Sequence, residues 1–357
     1  MLKFIARRIW YGFWVFLGVL TIVFFLFTVL PGDPARMMLG QRADISSVEA
    51  IQKELGLDRP VLTQYLKYLN DLSVISIHNR NNSESFFYLD QNKYSATRLV
   101  SAGSVSVVLK KPYLGRSYQS NRTVTSILAE AFPNTLLLAA VAIFLAMIFG
   151  VFIGVVSMIN DTPVAGKVIM VSSVLGMALP SFFAAAIIAW LFAFVLGDLT
   201  GLKMTGSLFS VDDFGRGEYL DLKNLILPAI TLGIRPLAVV IELTRSSLRN
   251  VMAQDYIRTA RAKGLSTYRV ITRHALRNAM NPVITAISGW FASLLAGAVF
   301  VEYIFDWKGI GVVIVKSLEN FDFPVVMGSV LLISLMLVVI NIAVDIIYGV
   351  LDPRVRL

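Results

Sequence analysis

Long uninterrupted runs of apolar residues dominate the hydrophobic pattern of the chain. A hydrocarbon core of roughly 30 Å needs about 20 apolar residues in a helix, and six runs reach that length. A transmembrane barrel would alternate polar and apolar residues in short stretches, so the pattern predicts an all-α integral membrane protein. The six predicted spans cover residues 9–30, 134–157, 168–196, 225–243, 283–301 and 326–348.

The composition supports a membrane protein and excludes some chemistries. Of the 357 residues, 56% are hydrophobic and 15% are charged, whereas soluble domains usually have about 25% charged residues. Lys3, Arg7 and Arg8 precede the first run, but that run is too long for a cleavable signal peptide, so we expect a retained helix. The absence of cysteine excludes disulfide bonds and thiolate metal sites.

The distribution of basic residues predicts the orientation. With a cytoplasmic N-terminus, the short cytoplasmic stretches hold fourteen Lys and Arg residues and the two short opposite loops hold five. This bias follows the positive-inside rule and places both termini in the cytoplasm. The net charge of +9 lies beside the spans, so membrane lipid or an acidic partner accounts for it and no nucleic acid is needed.

The segment 31–122 is predicted to be extracytoplasmic. Ser46 and Glu49 form a capping-box pattern for a helix that ends near Leu55. A second amphipathic helix is expected from Pro60, and its predicted apolar face holds Leu62, Tyr65, Leu66 and Leu69. Residues 73–113 are polar and turn-rich, and "SVSVVLKK" alternates like a strand, which indicates either a small partly β subdomain or a solvated loop without function. We therefore divide the chain into 1–30, 31–122, 123–350 and a cytoplasmic tail 351–357.

A basic stretch between the fourth and fifth spans, "DYIRTARAKGLSTYRVITRHALRNAMNP" (residues 255–282), is predicted to be a cytoplasmic docking element. Gly264 separates two helical stretches. In the first, Ile257, Ala260 and Gly264 with Ala262 nearby form a small-residue surface that permits close approach of another helix or a groove. In the second, one face is predicted to hold Tyr268, Ile271, Ala275 and Asn278, and another Arg269, Arg273 and Arg277. The alternative is an amphipathic hairpin lying on lipid headgroups.

Several residues inside the spans have more than one possible interpretation. Arg235 either attracts a peptide carboxylate in the pathway, or pairs with Glu242 or another subunit, or reaches the membrane surface through a shift of its helix. Asn341 and Asp345 lie one turn apart and are expected to face inward, with Asp345 paired to Arg245 or Arg249; a proton relay is the alternative. The remaining predictions are helix kinks at Pro180, Pro228 and Pro236, interfacial anchors at Tyr303 and Trp307, and a GxxxG contact at Gly150 and Gly154, either within the chain or between subunits.

The sequence resembles the permease subunits of ATP-binding-cassette importers, in the branch that carries dipeptides, oligopeptides and nickel, and in particular its B-type subunit. "DYIRTARAKGL" (255–265) with "RHALRNAMNPVIT" (273–285) looks like the cytoplasmic coupling loop of that family. Further matching motifs are "LPGDPA" (30–35), "ELGLDRP" (54–60), "LGRSY" (114–118), "LPAITLG" (227–233), "LTRSSL" (243–248), "VEYIFDWKGIG" (301–311), "DFPVVMGSVLL" (322–332) and "NIAVDIIYGVLDPRVR" (341–356). Residues 73–113 look like an insertion relative to the family pattern.

The resemblance implies a type I importer bundle of six transmembrane helices, with a small α+β extracytoplasmic insertion between helices 1 and 2. It implies four kinds of partner: a second homologous permease subunit, two cytoplasmic ATP-binding subunits, an extracytoplasmic solute-binding protein and membrane lipid. It also implies a coupling loop seated on an ATPase, formed by Asp255, Tyr256, Arg258, Thr259, Ala260, Arg261, Ala262, Lys263, Gly264 and Leu265. The general importer signature has an acidic residue and an alanine where this chain has Arg258 and Thr259, so inferences from the acidic residue do not transfer.

The expected function is transport of di- or oligopeptides, with nickel or another small solute as the alternative. No GxxxxGK[ST] motif occurs, so we expect no enzymatic activity and no cofactor in this chain, with ATP bound by the partner subunits. An intramembrane enzyme is disfavoured because HExxH and GxSxG are absent. A secondary transporter lacks its usual chain of buried carboxylates, and a channel lacks a recognisable filter loop.

Overall fold

The computed structural model describes residues 2–28, 52, 56–80, 82, 85–90, 93–94, 96–159, 162–212 and 217–351. The predicted capping box at Ser46 and Glu49, the motif at 30–35 and the tail from residue 352 lie outside the described residues.

Helices make up most of the described chain. In chain order they are α1 (Leu2–Thr28), α2 (Val61–Leu72), α3 (Val124–Ile159), α4 (Pro163–Ala178), α5 (Ser181–Ile188), α6 (Gly197–Thr200), α7 (Lys223–Met252), α8 (Asp255–Ala262), α9 (Thr267–Arg269), α10 (Leu276–Gly297), α11 (Val299–Ile304), α12 (Ile310–Glu319) and α13 (Phe323–Leu351). Two π-helical segments, Ala189–Val195 and Val270–Ala275, follow α5 and α9. The strands are β1 (Ile75–Asn79), β2 (Ala96–Ala102), β3 (Val105–Lys110), β4 (Phe209–Val211) and β5 (Glu218–Leu220).

Five helical runs in the described residues are long and apolar enough to cross a membrane. They are Lys3–Thr28, Val124–Ile159, Lys223–Met252, Thr267–Gly297 and Phe323–Ile346. A sixth span is reached when the pair Gly166–Ala178 and Ser181–Val195 counts as one broken span. The prediction of six spans therefore holds with one change, since the third span is bent and not continuous.

The third span bends by 108° at Leu179 and Pro180. Proline has no backbone N–H and disfavours helical conformation in the residue before it, so the chain leaves the helix there and Pro180 caps α5 in an extended conformation. The predicted kink at Pro180 is confirmed. By contrast, α7 continues as a single helix through Pro228 and Pro236.

The described structure divides into two compact units. Unit 1 comprises Met1–Phe13, Ala131–Val312 and Leu335–Leu357, and unit 2 comprises Trp14–Glu130 and Val313–Ser334. In unit 1, α7 is the central helix, because 67% of its most apolar window is buried, compared with 28% for α3. Its Leu227, Ala229 and Leu232 pack in one cluster with residues of α3, α5 and α10.

Two glycines of α3 allow α7 to approach closely. A Cβ atom built on Gly150 would lie 2.6 Å from a methyl carbon of Val240, and one on Gly154 would lie 2.7 Å from the Cβ of Thr244. Small residues let helix backbones pack tightly where no hydrophobic force acts between helices in lipid. The GxxxG pair is therefore used within the chain, which was one of the two alternatives.

Unit 2 is built on the second half of α1. The ring centroids of Tyr65 and Tyr68 in α2 lie 5.2 and 5.3 Å from that of Phe24 in α1. The hydroxyl of Tyr65 is also hydrogen-bonded to Thr21 Oγ1 at 2.7 Å. The inner face of α2 thus consists of its tyrosines with Leu69 and Leu72, whereas Leu62 and Leu66 are exposed, contrary to the predicted face.

The insertion contains an antiparallel sheet with strand order β1-β3-β2. This confirms the expectation of a small partly β subdomain. Its polarity is partly inverted: Ser76, His78 and Lys110 are buried on the same side as Val108, whereas Ile75 and Leu109, which are paired across β1 and β3, are exposed. A polar cluster, described below, occupies the inner side.

We predict that Gly154→Leu destabilises the bundle by about 1–3 kcal/mol, because the larger side chain would collide with Thr244 and the carbonyl of Ile241. The measurement is the thermal unfolding midpoint of the purified transport complex in detergent. Gly289→Leu in α10 is the matched control, since a Cβ on Gly289 meets nothing within 4 Å. Equal midpoints for the two variants would contradict the close α3–α7 contact.

Candidate functional site

The basic loop begins with the short helix α8, which the sequence singles out. Asp255 lies in its first turn and Arg261 in its last, so both charges oppose the helix dipole favourably. The helix ends at Ala262, and Gly264 two residues later has a φ of +78°, a left-handed conformation that glycine adopts without strain. The predicted division of the loop at Gly264 is therefore confirmed.

The inner face of α8 is fixed to its own chain. Ile257 is completely buried and Ala260 is nearly so, in a cluster with Leu248 of α7 and Ala275 and Ala279 near the start of the fifth span. Ile257 and Ala260 therefore meet other helices of their own chain, which is one of the two contacts predicted for this surface, and are not available to a groove on a partner. Their role is to hold α8 against the ends of two spans.

The outer face of α8 is polar and basic. It exposes Asp255, Tyr256, Arg258, Thr259, Arg261, Ala262, Lys263 and Gly264, while Leu265 is half-buried. Arg258 Nη1 lies 3.4 Å from Asp255 Oδ1, but both groups are solvent-exposed, so this pair contributes little to stability. Between residues 255 and 282 the loop has six Arg and Lys residues and one acidic residue, Asp255, so its net charge is +5.

The second half of the loop differs from the predicted helix. Tyr268 and Asn278 are exposed whereas Ile271 and Ala275 are buried, so the four do not share one face. The chain forms a π-helix from Val270 to Ala275, and its wider turn shifts the periodicity away from 3.6 residues. Arg269, Arg273 and Arg277 are each exposed, as predicted, and their position on one face stays a prediction.

Arg235 lies at the bend of the third span. Its Nη2 donates a hydrogen bond of 3.0 Å to the carbonyl of Leu179, the residue at which the helix breaks. Its Nε is buried without a hydrogen-bond partner among the described residues, beside a cavity of about 60 Å³ that Ser181, Thr231 and Trp290 also line. The partner of Arg235 is thus a backbone carbonyl of its own chain, which the sequence did not predict.

The other polar residues of the spans also have different surroundings from those expected. Asp345 accepts an ion pair from Arg8 of α1 at 3.2 Å, so the predicted pairing with Arg245 or Arg249 is wrong. Asn341 is exposed and does not face inward with Asp345, and Glu242 is exposed on α7. This ion pair therefore connects the N-terminal part of α1, which carries Arg8, to the C-terminal part of α13, which carries Asp345.

A buried carboxylate in "VEYIFDWKGIG" is a structural feature that sequence reasoning missed. Glu302 is completely buried, and its Oε2 accepts a hydrogen bond of 2.6 Å from the amide of Gly311 in the first turn of α12. A Cβ atom on Gly309 would lie within 2.5 Å of this carboxylate, so the glycine is needed for its approach. The sequence does contain a signal for this contact, because an acidic residue precedes the Gly-x-Gly sequence at which α12 begins.

Trp307 belongs to the same buried arrangement. It is completely buried, and its Nε1 donates a hydrogen bond of 3.0 Å to the carbonyl of Asn134. The prediction of an interfacial anchor is wrong for Trp307, whereas Tyr303 remains partly exposed. Indole rings meet their hydrogen-bond requirement either at an interface or inside the protein, and sequence alone does not distinguish the two.

Comparison with known proteins identifies the family. A family model described as the binding-protein-dependent transport system inner membrane component matches residues 146–357, and the model of the N-terminal part of such membrane components matches residues 1–85. The chain belongs to this family. It is therefore an inner membrane component of a binding-protein-dependent transport system.

Curated relatives of this permease match over its full length. The di/tripeptide transport system permease protein DppB of Pseudomonas aeruginosa (strain UCBPP-PA14) is 35% identical over 100% of this chain and 99% of the relative. The dipeptide transport system permease protein DppB of Escherichia coli (strain K12) is 33% identical, and the glutathione transport system permease protein GsiC of Escherichia coli O6:H1 is 31% identical, each with the same coverage.

We predict that Arg235→Met lowers the stability of the permease by about 1–3 kcal/mol, because the carbonyl of Leu179 loses its donor at the helix break. Thermal unfolding of the purified complex measures this effect, with the exposed Arg277→Met as the matched control. Unchanged stability together with lost transport would instead place Arg235 in the substrate pathway.

We predict that Glu302→Leu destabilises the permease by about 1–3 kcal/mol, the usual cost of a buried donor left without a partner, because the amide of Gly311 loses its acceptor. Glu302→Gln retains an acceptor oxygen of the same shape, so its loss should be smaller. The exposed Glu218→Leu serves as control in the same thermal measurement. Equal effects of the Leu and Gln variants would refute the capping role.

Proposed function

We propose that this chain is one permease subunit of an ATP-driven importer for short peptides. The observation that carries the proposal is α8: a basic helix with an exposed outer face and an inner face fixed to the ends of α7 and α10. The chain hydrolyses no ATP itself in this proposal, because it has no GxxxxGK[ST] loop.

The names of the relatives support a peptide as the substrate. They carry di/tripeptides, dipeptides or glutathione, and each of these is a short peptide. Our proposal extends this substrate class to the present chain. Nickel chelates and other small solutes stay alternatives that uptake measurements distinguish.

The proposed complex has four kinds of component. A second, homologous permease would complete the pathway, two cytoplasmic ATP-binding subunits would drive it, and an extracytoplasmic binding protein would deliver the peptide. The termini and the basic loop lie in the cytoplasm in this arrangement, as the excess of Arg and Lys supports. The charge of +5 on the loop favours an acidic groove on the ATP-binding subunit.

The packing of α8 suggests how the nucleotide cycle reaches the spans. Ile257 and Ala260 join α8 to Leu248 at the end of α7 and to Ala275 and Ala279 at the start of the fifth span. Interiors are close-packed, so a displacement of α8 passes to both helices with little loss. Closure of the ATP-binding subunits would therefore tilt these two spans together.

We predict that Arg258→Glu combined with Arg261→Glu lowers ATP-dependent dipeptide uptake at least tenfold, roughly 1.4 kcal/mol or more, because like charges then face the proposed acidic groove. Uptake is measured in proteoliposomes that contain the full complex and binding protein. The control exchanges two exposed basic residues of unit 2, Arg98 and Lys111, for Glu. Normal uptake and normal co-purification of the ATP-binding subunits in the loop variant would refute the docking role.

Two replacements of Gly264 distinguish backbone strain from a steric clash with a partner in the same uptake assay. Its φ of +78° strains most side chains, although a Cβ there meets nothing within 4 Å in this chain. Asn tolerates this conformation and Val does not. Loss of uptake in both Gly264→Asn and Gly264→Val indicates that a partner fills the space, whereas loss in Val alone indicates backbone strain.

A further inference from the structure

Unit 2 contains a cavity of about 640 Å³ that the proposed function does not use. It lies between α2, the C-terminal end of α1, the segment 113–121 and the first turns of α13. Pockets that bind small molecules usually measure roughly 300–1,000 Å³ and combine an apolar lining with a few polar groups. The size of this cavity is therefore that of a small-molecule site.

The lining of the cavity contains a set of apolar residues, called the floor, and a set of charged residues, called the rim. The floor includes Phe24, Leu72, Leu114, Met327 and Leu331. The charged groups in the lining are Lys67, Lys93, Arg116 and Asp71. The rim thus has three cations and one carboxylate, which suits a ligand with an anionic end and an apolar body.

Asp71 does not neutralise this rim. It already accepts a hydrogen bond of 2.6 Å from Tyr94 and lies 3.3 Å from Lys67 Nζ and 3.7 Å from Lys93 Nζ. Arg116 bonds to neutral groups, the carbonyl of Asn121 at 3.2 Å and the side chain of Tyr113. Two positive charges in excess therefore line the cavity.

The surrounding groups also favour an anion. Burial and the nearby Lys93 lower the pKa of Lys67, although Asp71 partly offsets the effect. Burial likewise lowers the pKa of Lys110, whose Nζ donates a hydrogen bond to the carbonyl of Asp71, to about 8. Tyr68 belongs to the lining of the cavity, its hydroxyl is buried without a partner among the described residues, and burial raises its pKa, so the hydroxyl stays protonated at neutral pH.

We propose that this cavity binds a short peptide, with the terminal carboxylate on Lys93 and Arg116 and an apolar side chain on the floor. Inorganic phosphate would leave the floor empty. The choice of a peptide among amphipathic carboxylates rests on the proposed function.

The test measures binding of radiolabelled alanyl-phenylalanine to the assembled complex in phosphatidylcholine nanodiscs without binding protein. We expect saturable binding that the C-terminal amide of the same dipeptide and inorganic phosphate fail to displace. Lys93→Met and Arg116→Met should each weaken binding at least tenfold, Arg116→Lys should restore part of it, and Met327→Trp should abolish it by filling the floor. The exposed Lys111→Met is the matched control.

Three results would overturn the proposal: no binding in the wild-type complex, equal binding of the amide, or unchanged binding in both Met variants. Retention of added phosphatidylglycerol that depends on Lys93 and Arg116, seen by native mass spectrometry without dipeptide binding, would assign the cavity to lipid and also overturn it. ATP-dependent uptake with binding protein, measured on the same preparation, keeps the two proposals apart. Uptake without cavity binding refutes only the cavity site, and absence of peptide uptake in the wild type refutes the proposed function.

Discussion

The structure depends first on the lack of water inside a bilayer, which obliges every backbone polar group there to find a partner within the protein. Continuous helices meet this requirement by themselves, but a broken span does not. At the bend between α4 and α5, the carbonyl of Leu179 accepts a hydrogen bond from the guanidinium of Arg235. Lipid chains have no donor that could form this bond. The cost of burying an arginine is offset where it removes an unsatisfied carbonyl. This explains why a charge lies in the middle of α7, the most buried span.

The basic loop likewise depends on contacts with its own chain. An isolated helix of eight residues is unstable in water, so α8 needs tertiary packing to exist. Ile257 and Ala260 supply that packing, and in doing so they connect the loop to two spans. The residues that give α8 its stability are thus the ones through which it can transmit motion, while its exposed arginines remain available for a partner.

Much of the fold could be predicted from sequence, because span length, proline breaks and left-handed glycines are local properties. Pro180 and Gly264 illustrate this. The failures concern partners and faces: a 3.6-residue period does not foresee the π-helix beginning at Val270, and an indole such as Trp307 suits an interface or a core equally well. Likewise, the sequence shows that Asp345 needs a cation but not that Arg8 supplies it. Such choices are made by tertiary packing, which a local pattern does not contain.

The insertion shows most clearly what alternation of polar and apolar residues along a strand does not predict. Alternation says which residues of β1 and β3 share a face, but hydrophobicity suggests the wrong face as the inner one, since His78 and Lys110 are buried. Asp71 gives the reason: its carboxylate and carbonyl bind Tyr94 and the surrounding lysines, including Lys110, so the inner side of the sheet is organised around charge. One carboxylate cannot balance three lysines. Asp71 also lines the cavity together with Lys67, Lys93 and Arg116, so the carboxylate that orders this subdomain belongs both to the fold of the insertion and to its candidate site.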